Sequence, residues 1–455
     1  MVNSEIFREY DIRGVVDTDF DDKFAYELGR TFVTYLSQKG APKNPVVTLG
    51  HDARLSSPSL SKAMSEGLQS AGARVVFLGM VTTPISYFSM FQLDQPAGGI
   101  MITGSHNPPD YNGFKISVGK TTIYGNEIQE LRRIMEKGEF VTGQGAYTTF
   151  DIFNDYVERY KQEFKNLPPV KIVLDCGNGA AGVIARRLYE AVGLKPVILF
   201  EEPDGRFPNH HPDPTVEKNL DALKKAVKDH GAAIGIGFDG DADRIGVVDG
   251  DGNFVQGDEM MVIMARGVLK DNPGATIIGD VKCSDRLYDD IRQLGGRAIM
   301  WKTGHSLVKT KIKEEKAPFG GELSGHVFYA DRNYGYDDAL YAGLRLIEQV
   351  AKSGTTLRDL LSGFPDAFNT PEIRIDTTED KKRSIVEKLR AKYDAPSDRY
   401  KVNLIDGIRI SYPDGWALAR ASNTQPVLVL RFESTTKAGL DRIRGEIESI
   451  VNPLL

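Results

Sequence analysis

The hydrophobic pattern of the chain repeats itself three times. In each copy an apolar, β-branched run ends in a Gly- or Asp-bearing loop, a segment of helical period follows, and a glycine introduces a second apolar run. The first copy reads PVVTLG (45–50), HDARLSS, a predicted helix from Pro58 to Ala71, Gly72, then ARVVFLG (73–79). The second reads VKIVLD (170–175), CGNGAAG, a helix to Val192, Gly193, then KPVILF (195–200). The third reads ATIIGD (275–280), VKCSD, a helix to Leu294, Gly295 and Gly296, then RAIMWK (297–302). Apolar runs around a helix that stops at glycine are the marks of a βαβ unit. Three of them predict three related α/β domains, whose ligands should gather at loops beyond the strand ends.

The last ninety or so residues break this pattern. FNTPEIRIDT, a helix from about Asp380 to Lys392, strands around Ile408, Leu418 and Leu428, and a final helix read as α+β. SYPDGWA is a tight turn between two of the strands. GFPDAFNTPE (363–372) reads as the linker before this tail, and GEFVTGQGAYTTF (138–150) as a separator after the first repeat. The expected organisation is 1–150, 151–253 and 254–367 as α/β domains with mixed sheets, and 368–455 as a smaller α+β domain.

Composition adds exclusions. The 41% hydrophobic and 26% charged residues of the 455 describe an ordinary globular chain with ample core. A net charge of −6 without a basic cluster argues against nucleic acid as a partner. No run approaches the roughly 20 apolar residues of a spanning helix. The start, MVNSEIFREYDIRG, is charged throughout, unlike a signal peptide, and Cys176 and Cys283 read as reduced, buried thiols. The expected compartment is the cytoplasm, with no membrane partner.

Four segments carry chemistry, and a fifth imitates it. In GGIMITGSHNPPDYNGFK (98–115) an apolar strand delivers Ser105 into a loop that Pro108 and Pro109 keep from continuing as strand. His106 and Lys115 add proton-transferring or positive groups beside it, and the plain alternative is a solvent-facing polar turn. In IGIGFDGDADRIG (234–246), Asp239, Asp241 and Asp243 alternate with small residues after another apolar strand. Three carboxylates on one loop are hard oxygen donors suited to Mg²⁺, and without a cation they would repel one another. GGELSGH (320–326) offers Glu322, Ser324 and His326, a mixture that suits sugar hydroxyls. RASNTQP (420–426) surrounds Arg420 with Ser422, Asn423 and Thr424, the composition of a phosphate cradle. For both of these an ordinary polar turn is the competing reading.

The fifth segment, GNGAAG (177–182), matches the dinucleotide fingerprint on paper, with Glu201 and Glu202 near the end of the next strand. Asp175 sits two residues before its first glycine, where it would repel a pyrophosphate. A structural turn is the better reading.

Taken together, FREYDIRG (7–14), TGSHNPPDYNGFK, DGDADR, GELSGH and RASNTQP occur in the order found in the α-D-phosphohexomutase superfamily. The chain resembles in particular its bacterial and archaeal phosphomannomutase/phosphoglucomutase members, over essentially its whole length. The resemblance implies four domains around a central cleft, with Ser105 as a phosphoserine. Asp239, Asp241 and Asp243 would hold Mg²⁺ together with an oxygen on Ser105, and Arg244 would sit close by. Glu322 and Ser324 would meet sugar hydroxyls, and Arg420, Ser422, Asn423 and Thr424 the non-reacting phosphate. Tyr10, Arg13, Lys115, Lys282 and His305 are similar to further cleft residues, with Arg13, Lys115 and His305 as candidates for handling a hydroxyl proton. The implied reaction interconverts hexose 1- and 6-phosphates, of mannose, glucose or both, through a 1,6-bisphosphate that also serves as activator. Phosphoglucosamine mutase, a metal-dependent sugar phosphatase and a dinucleotide-binding regulator are the rivals. Two small departures from the family pattern are Ala242 for a glycine and Gln425 for a glutamate.

Overall fold

The computed structural model describes residues 3–455. Each of the three repeats forms a mixed sheet of one plan. In the first, Val46–His51 lies parallel to Arg74–Met80 on one side and to Gly98–Ile102 on the other, and Gly98–Ile102 turns back antiparallel into Tyr111–Val118. In the second, Ile172–Asp175 lies parallel to Val197–Leu199 and Ile234–Phe238, which turns back into Ile245–Asp249. In the third, Thr276–Asp280 lies parallel to Arg297–Trp301 and Phe319–Gly321, which turns back into Val327–Tyr329. The parallel pairs need a helical crossover, whereas the antiparallel pair needs only a short loop. That short loop, the same one in all three domains, carries the chemistry.

The central strands are apolar on both faces because helices cover both, as the unbroken burial of Gly98–Ile102, Ile234–Phe238 and Ile245–Asp249 records. The predicted helices lie at Ser57–Ser70 and Asp285–Gln293. The second repeat differs: a 3₁₀ turn at Ala180–Val183 precedes a short helix at Ala185–Ala191, because the small, Gly-rich GNGAAG segment packs too tightly to start a full helix. The two linkers are also more ordered than expected. Ala146–Thr149 adds a parallel edge strand to the first sheet, and Phe368–Asn369 joins the last one.

The tail forms an antiparallel sheet in the order Phe368–Asn369, Val427–Ser434, Gly415–Ala421, Ile408–Tyr412, Lys401–Asn403, with Glu379–Lys392 and Lys437–Val451 packed on it. Its core is its own. One continuous core instead runs through the second and third domains and takes in Val81 of the first, with Ile85 and Phe88 from its helix Thr83–Gln92. The tail meets that body through a small apolar patch of Val281, Trp416 and Leu418. Among the described residues no helix is long and apolar enough to cross a membrane, and both cysteines are buried and free.

Candidate active site

The strand Gly98–Ile102 ends against Thr103 and Gly104, and Ser105 takes up a left-handed backbone at φ +49°. Such a conformation costs an L-residue roughly 1–2 kcal/mol and persists only when its surroundings over-determine it. The Ser105 hydroxyl donates to Asp239 Oδ2 at 2.8 Å, across the seam between the first two domains, and His106 Nδ1 lies 3.1 Å from it. The two loops touch through their backbones: a Cβ on Gly240 would sit 2.3 Å from the Ser105 carbonyl oxygen. Glycine at 240 is therefore required for the approach.

Three domains pin the aspartate loop. Thr83 N–H donates to the Asp241 carbonyl at 2.9 Å, Ala180 N–H to the Gly240 carbonyl at 2.9 Å, and Ala339 N–H to the Ala242 carbonyl at 3.3 Å. Asp239, Asp241 and Asp243 are all fully buried. Their oxygens lie within 4.8 Å of one another. Lys115 Nζ bridges Asp241 Oδ2, at 2.7 Å, and Asp243 Oδ2. Asp241 Oδ1 is buried with no hydrogen-bond partner, and Asp243 Oδ1, likewise without one, faces His326 Nε2 at 3.4 Å. Unsatisfied carboxylate oxygens in a dry site are costly, and a hard divalent cation is the group that this donor set fits.

Charge is partitioned within this cluster. Burial, Asp241 and Asp243 push the Asp239 carboxyl well above its usual range. Burial would raise Asp243 as well, but Lys115, then His326 and Arg244, hold it well below. Lys115 resists the effect of burial and stays charged through Asp241 and Asp243. His326, despite burial, is raised to about 9, chiefly by Asp243. His305 moves the other way, lowered well below its usual value by burial, Lys309 and Lys115. His106 is likewise lowered by burial, Arg244 and Arg13.

The third-domain loop closes on this centre. The Ile245 N–H donates to the Gly325 carbonyl at 3.1 Å, and Arg244 pairs with His326 as an isolated β-bridge. Glu322 Oε1 accepts from Gly304 N–H at 2.6 Å, while Oε2 faces His326 Nδ1 at 3.1 Å. Ser324 Oγ lies 3.3 Å from the same Nδ1. Opposite stands the turn of the last domain. Arg420, on the strand Gly415–Ala421, pairs with Asp406 at 3.1 Å, and Asp406 also accepts from Thr303 N–H at 3.0 Å. The Tyr10 hydroxyl ties three domains: it donates to the Thr303 carbonyl at 2.7 Å and accepts from Asn423 Nδ2 at 2.7 Å. Its ring meets His305 edge-on at 5.8 Å. Arg13 is held by Asp11 and by the Asn107 side chain at 2.8 Å. Lys282 spans the last seam, 3.1 Å from Glu372.

The loops that carry the residues expected from the sequence thus converge at the seams of the four domains, with Ser422 and Thr424 on the turn whose Asn423 reaches Tyr10. The sequence reading passed over several others. Thr83 donates to Asp241 Oδ2 at 2.6 Å. Asp337 faces Lys309 at 3.0 Å and His305 Nδ1 at 3.7 Å, and can group with Asp243 and His326 around a metal ion. Asp52 and Arg54 lie beneath the serine loop. A carboxylate ends or directly follows the first strand of every repeat, at Asp52, Asp175 and Asp280, and that recurrence is the available signal for Asp52. The GNGAAG loop is no anion site in its geometry: Asp175 accepts from Gly177 N–H at 2.8 Å and pairs with His210 at 3.0 Å.

Three α/β domains of one topology and a fourth of another, closing on a buried serine and a carboxylate triad, define a phosphohexomutase architecture. Models of phosphoglucomutase/phosphomannomutase α/β/α domains I, II and III match residues 4–142, 153–252 and 256–368, and the model of the C-terminal domain matches 372–450. The chain belongs to the phosphoglucomutase/phosphomannomutase family and is an isomerase that interconverts hexose phosphates. It is 45% identical to the phosphomannomutase/phosphoglucomutase of Pseudomonas aeruginosa, over 97% of this chain and 94% of the relative. It is 43% identical to the phosphoglucomutase of Neisseria gonorrhoeae, over 100% and 98%. The crystal structure of a phosphoglucomutase/phosphomannomutase family protein from Burkholderia thailandensis superposes with a TM-score of 0.93 at 44% identity, covering 100% of this chain and 98% of the other.

Proposed function

We propose that this chain moves a phosphoryl group between O1 and O6 of glucose and mannose phosphates by way of Ser105. The observation that carries the reading is the Ser105 hydroxyl held 2.8 Å from Asp239 inside a seam of buried, oppositely charged groups. Phosphoryl transfer depends mainly on positioning and charge neutralisation, and this seam supplies both.

The phosphoryl group on Ser105 Oγ passes to the free hydroxyl of a hexose monophosphate. The P–O bond to Ser105 breaks, the hydroxyl proton leaves to a base, and a 1,6-bisphosphate results. The bisphosphate turns about in the cleft, and its other phosphoryl group returns to Ser105. A 1,6-bisphosphate also phosphorylates an unmodified Ser105 and so acts as activator. Asp239, Asp241 and Asp243 would hold Mg²⁺, which when bound supplies positive charge to the phosphoryl oxygens at Ser105. Lys115 and Arg244 add fixed positive charge from the protein.

Among the three candidate proton acceptors, Lys115 is locked as a cation between two aspartates and Arg13 is committed to Asp11 and Asn107. His305, kept neutral, has the state an acceptor needs. His326, kept charged, has the state of a donor. Arg420, Ser422, Asn423 and Thr424 grip the non-reacting phosphate, with Tyr10 and Lys282 at the edge of that grip. Neutral hydroxyls and amides around one arginine accept either end of the sugar. Two free, buried cysteines fit a reducing compartment, and the cytoplasm is where phosphosugars are processed.

Glu322 and Ser324 would engage the 3- and 4-hydroxyls, which glucose and mannose share, so the two 1-phosphates should be converted with comparable efficiency. Incubation with glucose 1-phosphate, Mg²⁺ and a trace of glucose 1,6-bisphosphate discriminates the readings: glucose 6-phosphate supports the mutase, free phosphate a phosphatase, and no change a non-catalytic regulator. Specificity constants for glucose, mannose and glucosamine 1-phosphates test the rest. A preference of about a thousandfold for any one of them would reject dual specificity.

A further inference from the structure

Arg54 lies beneath the serine loop with its side chain fully buried. Its guanidinium donates to the carbonyls of Ser105 at 2.8 Å, Asn107 at 2.6 Å, Tyr111 at 2.8 Å and Pro108. Its Nε stands 3.2 Å from Asp52 Oδ2. That same oxygen accepts from Gly104 N–H at 3.2 Å and from Thr103 Oγ1 at 2.8 Å, and Thr103 Oγ1 in turn accepts from Ser105 N–H at 2.8 Å. Both backbone polar groups of Ser105 are therefore tied, directly or through Thr103, to one buried ion pair. Gly104 lies tight against this pair: a Cβ there would sit 2.4 Å from Arg54 Nε and would displace the guanidinium.

We infer that Arg54, Asp52 and Thr103 form a positioning device that holds Ser105 in its left-handed conformation and aims Oγ at the aspartate loop. None of the three is a catalytic residue. Phe207, from the second domain, places its ring 5.3 Å from the Arg54 guanidinium and closes that side. Four carbonyls converging on one cation demand a planar fork with several N–H groups, which lysine does not offer. A displacement of about 1 Å at a reacting atom costs on the order of 10²-fold in rate.

This inference rests on Ser105 being the phosphoryl carrier. The test compares wild type, Arg54→Lys, Asp52→Asn and Thr103→Val for kcat and KM with glucose 1-phosphate. Active sites are counted by intact mass after loading with glucose 1,6-bisphosphate. Arg54→Lys should lower kcat per loaded site on the order of 100-fold and Thr103→Val about 10-fold, with KM within about 3-fold of wild type. Thr103→Val changes one buried atom group, so it decides the matter even where the Arg54 variant does not fold. A merely structural role predicts fewer loadable sites, each turning over as in wild type, and that result overturns the inference. Variants indistinguishable from wild type overturn it too. A wild type that leaves glucose 1-phosphate unchanged sinks the mutase reading, and this inference with it.

Discussion

The two ends of the cleft are built on opposite plans. At the reacting end, Ser105 and the three aspartates are buried, and their loops are pinned by backbone and side chains from three domains. At the far end, the turn 422–425 belongs to a domain with its own core, joined to the rest by a small apolar patch and a buried polar seam in which Arg409 donates to the Cys283 carbonyl and Arg431 pairs with Asp258. Lys382 stiffens that turn from behind, donating to the carbonyls of Ser422 at 2.6 Å and Gln425 at 2.9 Å. Forward, Asn423 is exposed and reaches the first domain through Tyr10 alone among its hydrogen bonds. In the proposed mechanism the difference follows from the chemistry. Phosphoryl transfer needs atoms fixed to a fraction of an ångström, whereas a bisphosphate that must turn about needs a grip that lets go.

That contrast can be broken in descending order of effect. Ser105→Ala should lower turnover by at least ~10³-fold, because the covalent route is gone. Its unfolding temperature should scarcely move, since about 1 kcal/mol of hydrogen bonding is lost; activity assays beside thermal melts check both halves. Asp241→Asn should reduce kcat on the order of 10²-fold and weaken Mg²⁺ binding about 10-fold in calorimetry, by removing one charged ligand from a site that needs several. Full activity of the wild type in excess chelator would rule the metal out.

At the far end the same surgery should be milder. Thr424→Val removes a neutral hydroxyl worth about 0.5–1.5 kcal/mol, so KM should rise up to about 10-fold with kcat nearly unchanged. A kcat loss as large as at Asp241 would erase the distinction between the two ends. Smallest of all is Ala242→Gly. Ala242 sits buried in the aspartate loop at φ +59°, a strain of roughly 1–2 kcal/mol that glycine relieves. The greater freedom of glycine in the unfolded chain offsets most of it. The melting temperature should shift by less than about 2 °C, with kcat within about twofold.

Much of this was legible before any coordinates. The βαβ repeats follow from apolar periodicity and glycine placement, and Ser105 and the aspartates stand out because polar groups crowd the ends of apolar strands. The shared hairpin was harder to see, because DGDADR reads as a loop without revealing that the strand after it runs antiparallel. Asp52 and Arg54 lie within HDARLSS, where nothing local marks them. Their partners lie more than fifty residues away, and no local spacing announces a cation that will gather four distant carbonyls. Thr83 on Asp241, 158 residues apart, is hidden for the same reason. Contacts that close between repeats leave no period in the chain.

The central claim is that the phosphoryl group resides on Ser105 between half-reactions. Purified protein incubated with glucose 1,6-bisphosphate, quenched and digested, should carry one added phosphoryl group, on the peptide containing Ser105. When the loading bisphosphate is isotopically labelled, a chase with unlabelled glucose 1-phosphate should move the label from Ser105 to sugar phosphate at the rate of turnover, while the serine is phosphorylated again from the bisphosphate. Phosphate on another peptide, or a labelled phosphoryl group that stays on Ser105 through the chase while turnover proceeds, would contradict the account.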